Sequence, residues 1–181
     1  SNAIEIAGNV AGEIGPGTVT VAGNGYDAIK WNYGTLGMDL TWHNLGAPYL
    51  IMGDGNYIAD GATLTLDPGV CIKFSGNSNT LLDVEGSLIA RGAPGEDIVF
   101  TSWNDPSVGG ATGTGTPHAG DWLYIEIHTN NSSNVRTVVM DHCQVKYGGG
   151  GGAPYNMQAH LWGNNTVSIT NSVISSSLTE G

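Results

Sequence analysis

The sequence predicts an all-β protein: a right-handed, single-stranded parallel β-helix of four to five coils with an N-terminal cap. Three observations predict it. The stretch 54–100 repeats itself. Pro68-Gly69 is answered by Pro94-Gly95, Ile72 by Ile98 and Phe74 by Phe100, each 26 residues on (94−68, 98−72, 100−74), and self-similarity at such a period marks a repeat array. The units are strands, since apolar residues alternate in Leu64-Thr65-Leu66, in Val70-Cys71-Ile72-Lys73-Phe74 and in Leu82-Asp83-Val84. Glycine makes up 29 of 181 residues and charged residues only 12%. That suits a turn at each corner of each coil and excludes a charge-rich helical bundle.

Residues 1–48 are the least regular. TVTVAG (18–23) and Met38-Asp39-Leu40-Thr41-Trp42 read as strands, with Tyr26, Trp31 and Tyr33 among glycines between them. A stack of coils needs its open end covered, so this segment is read as a cap. Ser1-Asn2-Ala3 reads as a tag-cleavage scar. Residues 49–181 are read as coils carrying inserted loops at 103–121 and 148–157. A second echo, Val138 with Val167, Met140 with Ile169, Cys143 with Ser172 and Val145 with Ile174, runs at 29 residues (167−138). The chain stops where another coil is expected, which predicts truncation at the C-terminus and end-to-end self-association through an uncapped last coil.

The run PYLIMGDGNYIADGATLTLDPGVCIKF, followed by LLDVEGSLIARGAPGEDIVFTSWND and then GDW, resembles the opening of bacterial right-handed parallel β-helix repeat proteins with a pectate-lyase-like fold. The resemblance covers about Trp42 to Tyr147. It implies a secreted or cell-surface protein. It does not choose a function, because that architecture carries lyases, hydrolases, adhesins and spacers alike. In such relatives the segment at 103–120 often carries an acid-rich calcium site. Here Asp105 and Asp121 stand at its ends as metal candidates, and the middle, Ala111-Thr112-Gly113-Thr114-Gly115, lacks the carboxylates calcium wants.

The net charge is −11 with five basic residues, so nucleic acid is excluded as a partner. No apolar run reaches the ~18–20 residues of a membrane span. Strand parity points Cys71 outward and Cys143 inward. Both are therefore read as free thiols, with Cys71 the one open to reagents.

Parity also selects the candidate site. In WLYIEIH, Leu123, Ile125 and Ile127 are expected in the core, with Trp122, Tyr124, Glu126 and His128 outside. Stacking the coils puts Tyr57, Asp83, Glu126 and His160 in one outer column, flanked by Tyr124, His128 and Trp162. Aromatic rings beside carboxylates and imidazoles suit a sugar, whose apolar face covers a ring while its hydroxyls meet the polar groups. Hence Tyr57, Tyr124, His128, His160 and Trp162 are the ligand-binding candidates, and polysaccharide is the expected partner. Asp83 and Glu126, one coil apart, are the catalytic candidates, since glycoside hydrolysis needs a carboxylate pair. Lys73, Arg91, Arg136 and Lys146 fall outward on other walls, which argues against a lyase site, with its cation beside the base, within this segment. The expected function is a secreted or surface structural domain with a carbohydrate-binding face. The alternative is a polysaccharide-degrading enzyme, a glycoside hydrolase or lyase, completed by missing coils. No cofactor is required by either reading; calcium is the metal the 103–120 segment brings up, and the five histidines show no zinc-type short spacing.

Overall fold

A computed structural model describes residues 2–7, 14–17, 19–77, 79–128, 134–163 and 165–178. The described residues contain strands and no helix. The fifteen strands are β1 (Asn2–Ala7), β2 (Tyr26–Leu36), β3 (Leu40–Trp42), β4 (Tyr49–Ile58), β5 (Thr63–Leu66), β6 (Cys71–Phe74), β7 (Leu82–Val84), β8 (Ser87–Arg91), β9 (Ile98–Ser102), β10 (Ile125–His128), β11 (Arg136–Asp141), β12 (Cys143–Lys146), β13 (Met157–His160), β14 (Asn165–Thr170) and β15 (Val173–Ser175). Alternating apolar positions make them strands, and glycines with positive φ, such as Gly61, Gly69 and Gly95, turn the chain between them.

The strands form two parallel sheets. The smaller runs β14-β11-β8-β5-β3. The larger has ten strands in the order β13-β10-β7-β4-β6-β9-β12-β15, with β2 on β4 and β1 on β2. This corrects the fold expected from the sequence. β4 hydrogen-bonds through Tyr49–Ile51 to β6 and through Tyr57 and Ile58 to β7. Strands expected on separate walls of a single-stranded β-helix therefore belong to one sheet, curled into a half barrel against the five-stranded one. The solenoid and pectate-lyase-like descriptions fall with that correction. The physical reason lies in the middle of β4. Gly53 takes φ +80° and Tyr33, on the neighbouring strand, φ +48°, while the β2–β4 register shifts between Asn32 and Gly34. The ladder breaks after Asn32–Met52 and resumes at Gly34–Asn56, and buried Asn56 helps hold the bend by donating to the Met52 and Gly53 carbonyls.

Register matches part of the sequence reading. Val138 pairs with Val167 and Met140 with Ile169, an offset of 29 (167−138). The earlier echo is two residues out: Ile72 pairs with Phe100 and Phe74 with Ser102, an offset of 28 (100−72). A two-residue slip keeps every side chain on its own face, so the core survives the error. Leu64, Leu66, Val70, Ile72, Phe74, Leu82, Val84, Leu88, Ile98, Phe100, Ile125 and Ile127 lie in one buried cluster.

Three local expectations change. The strand expected over 18–23 starts outside the described residues, and 19–22 run without strand pairing. Val19 donates its N–H to the Leu45 carbonyl at 2.9 Å instead, and Val19 and Val21 pack on the core. Trp122, expected outside, is fully buried. It stacks on Phe74 at 4.0 Å and 6°, and its indole N–H donates to the Lys146 carbonyl. β10 begins only at Ile125, so strand parity does not reach residue 122. Cys71 and Cys143 are both free and both buried, so the expected exposure of Cys71 is also corrected. Burial pushes each thiol up to about 12.

Candidate functional site

The outer face of β4, β7, β10 and β13 carries the candidate site. Tyr57 pairs with Asp83, Asp83 with Glu126, and Glu126 with Gln158. Ladder neighbours lie about 4.8 Å apart at the backbone. Asp83 and Glu126, expected one coil apart, are thus direct neighbours. The fourth member of the column is Gln158, and His160 instead pairs with His128 two residues further along the strands. The His128 and His160 rings meet edge to face with centroids 6.3 Å apart. The Gln158 amide contacts His160 Nε2. Tyr124 flanks the column against Tyr155 at 5.5 Å, and the Tyr155 hydroxyl donates to Gln158 Oε1 at 2.5 Å. Trp162 lies two residues past the end of β13 with 60% exposure and is not part of the column.

Asp83 is the unusual member. It is only 7% exposed, and its Oδ1 is buried without a hydrogen-bond partner. A buried, unpartnered carboxylate oxygen is costly and asks for a counter-group. Burial first, then the negative charges of Glu126 and Glu85, push the Asp83 carboxyl up to about 7, against a smaller opposing effect of His128. Burial and the same acidic surroundings also raise the Tyr124 phenol. Among the described residues, Asp83, Glu85 and His128 form the one group of metal-ligating side chains, with ligand atoms all within 4.8 Å of one another. Glu85 escaped the sequence reading because it follows the last residue of β7, where strand parity stops. Its position two residues after Asp83 was the available signal.

The metal candidates from the sequence are placed differently. Asp105 is 2% exposed. It accepts from Thr101 Oγ1 at 2.8 Å and from the Ser107 N–H and hydroxyl, and it pairs with Lys146 at 3.0 Å. Burial alone would raise it, but the bonds from Ser107, Thr101 and Lys146 win and hold it at about 2. Asp121 accepts from the Ser102 hydroxyl, the Asn104 amide and the His118 N–H. Both carboxylates tie the 103–121 segment to the sheet.

Of the residues expected outside on other walls, Arg91 is exposed and Lys146 partly so, whereas Lys73 and Arg136 are buried. Lys73 is fully buried and donates to the Asp105 carbonyl at 2.8 Å and to the Gly110 carbonyl. Arg136 is 2% exposed and pairs with Asp60 at 2.9 Å.

No family model, no curated protein and no solved structure matches the chain. With the fold corrected, the resemblance no longer argues for secretion or carbohydrate binding, and no feature among the described residues supports either. Among the described residues no helix is long and apolar enough to cross a membrane.

Proposed function

We infer that the chain is a divalent-cation-binding domain, with Asp83, Glu85 and His128 as protein ligands. The observation that carries this reading is the buried Asp83 carboxylate, whose Oδ1 has no partner and which sits with a second carboxylate and an imidazole in ligand range. A bound dication supplies the missing partner and offsets the repulsion among Asp83, Glu85 and Glu126. A proton on Asp83 would relieve only one of those charges. The mixed oxygen and nitrogen set favours a transition ion that accepts both donors, zinc before manganese, over calcium, which prefers oxygen alone.

Thermal unfolding of the wild type with zinc, manganese or calcium chloride tests the reading. At about a hundredfold excess over Kd, a ligand of the native state adds about 2.7 kcal/mol, which raises Tm by roughly 5–10 °C in a domain of this size. Zinc or manganese should do this, calcium much less. The double variant Glu85→Gln/His128→Ala should abolish the rise without lowering the metal-free unfolding temperature, since Glu85 only adds repulsion there. An equal rise in the double variant, or none in the wild type, would sink the assignment.

A further inference from the structure

A second region of the molecule carries an independent inference. Two cavities, of about 350 and 380 Å³, share Trp103 as a wall. Tyr33 and Met52 line the first, and Tyr26 and Thr112 the second. The rings are seated on glycines. A Cβ on Gly53 would lie 2.5 Å from the Tyr33 ring, and one on Gly76 would lie 2.4 Å from Trp103 Nε1. Tyr26 and Trp103 are 5.8 Å apart and tilted by 34°. Tyr33 remains 58% exposed, so aromatic surface is left open at the mouth.

Two polar atoms at this cleft lack partners. Thr112 is 7% exposed, and its Oγ1 has no hydrogen bond. Trp103 Nε1 is likewise buried and unpartnered. A purely structural cleft gains nothing from leaving them so. The charge environment is equally specific. No Lys, Arg, Asp or Glu lines either cavity, in a chain of net charge −11. The acidic chain discriminates against anions. The absence of lining carboxylates discriminates against metal ions and primary ammonium groups, which need strong acceptors to replace their water. What remains favoured is a cation with an organic skin. Tyr and Trp faces, as Tyr26 and Trp103 offer in the second cavity, attract such a cation through their ring quadrupoles.

We propose that the second cavity, lined by Tyr26, Trp103 and Thr112, binds a quaternary ammonium group of the choline type. The Tyr26 and Trp103 ring faces meet the methyl groups, and the unpartnered Thr112 hydroxyl is available to the ligand's own hydroxyl. The site shares no residue and no ligand with the dication cluster, so either can fail without the other.

The test is a calorimetric titration of the wild type with choline and with 3,3-dimethylbutan-1-ol, its neutral carbon isostere. Choline should bind at least about tenfold more tightly, because only the charge differs. Trp103→Leu and Tyr26→Leu should each weaken choline about tenfold or more, and a chelator should change nothing. Should either variant fail to fold, the Trp103 indole N–H resonance of the wild type serves instead: it should shift with choline and not with the isostere. Equal binding of the two compounds, or no binding of choline by folded protein, overturns the proposal.

Discussion

The two wings of the curled sheet, joined at β4, differ in what covers them. On the wing β6-β9-β12, the 103–121 segment lies over the outer face, and every residue of β6 and β9 is buried. On the wing β7-β10-β13, outward positions such as Glu126 and His128 stay partly or fully open. The covered wing satisfies its charges. Lys73 reaches two loop carbonyls, and Asp105 gathers Thr101, Ser107 and Lys146. The open wing leaves the Asp83 Oδ1 unpartnered. The same parallel pairing thus supports two uses of polar residues. Where the 103–121 segment folds over charged groups they fasten the structure, and on the open wing a buried carboxylate oxygen is left without a partner.

The comparison breaks first at Lys73. Replacing it with Met strands the Asp105 and Gly110 carbonyls under the loop. Charge-assisted hydrogen bonds of this kind contribute about 1.5–3 kcal/mol each, so chemical unfolding should show a loss of about 3 kcal/mol or more. Glu126→Gln, on the open wing, should cost under about 0.5 kcal/mol. Similar losses for the two would erase the distinction between the wings.

Acid and base should act on the wings in opposite directions. Asp105 is held at about 2, below the 3.8 of an ordinary aspartate. Its stabilisation is complete above about pH 4 and is lost as pH falls toward 2. By the scale of about 1.4 kcal/mol per unit it is worth about 2 kcal/mol, and Asp105→Asn should flatten that limb of the stability curve. Asp83 is raised from 3.8 to about 7. Its folded form is favoured below pH 4, and that advantage is lost as pH rises to 7. In metal-free protein Asp83→Asn should remove this second slope. Stability that changes in the same direction across both windows would contradict the assignment.

Thiol labelling sharpens the contrast from the covered side. Cys71 sits beneath Gly109, where an added Cβ would lie 3.0 Å from its sulfur, and Cys143 lies in the core. Neither should react in native protein at pH 8, and both should react after unfolding. Fast native labelling of Cys71 would show that the loop does not stay closed. The smallest effect belongs to Trp162, 60% exposed beyond β13. Trp162→Ala should change stability by less than about 0.5 kcal/mol and leave cation binding intact.

Alternation in Leu64-Thr65-Leu66 and Val70 to Phe74 was enough to name the core, because a strand's two faces are set by its own backbone. The 29-residue echo from Val138 to Val167 was enough to place β11 against β14, because like residues stack in parallel ladders. The same logic brought Asp83 beside Glu126. Pairing that depends on bends and loop lengths was not legible. The offset of 28 between Ile72 and Phe100, the pairing of His160 with His128, and the inward turn of Trp122 all follow from where strands begin and how the intervening loops close. Joining the two wings into one curled sheet was decided at Gly53 and Tyr33, whose left-handed backbone angles exist only in the context of the bend. Parity told which side of the sheet Cys71, Lys73 and Asp83 take. Whether that side meets water was decided by the 103–121 segment and by neighbouring charge, because burial is a property of what comes to lie on top of a strand, and no strand encodes that in its own residues.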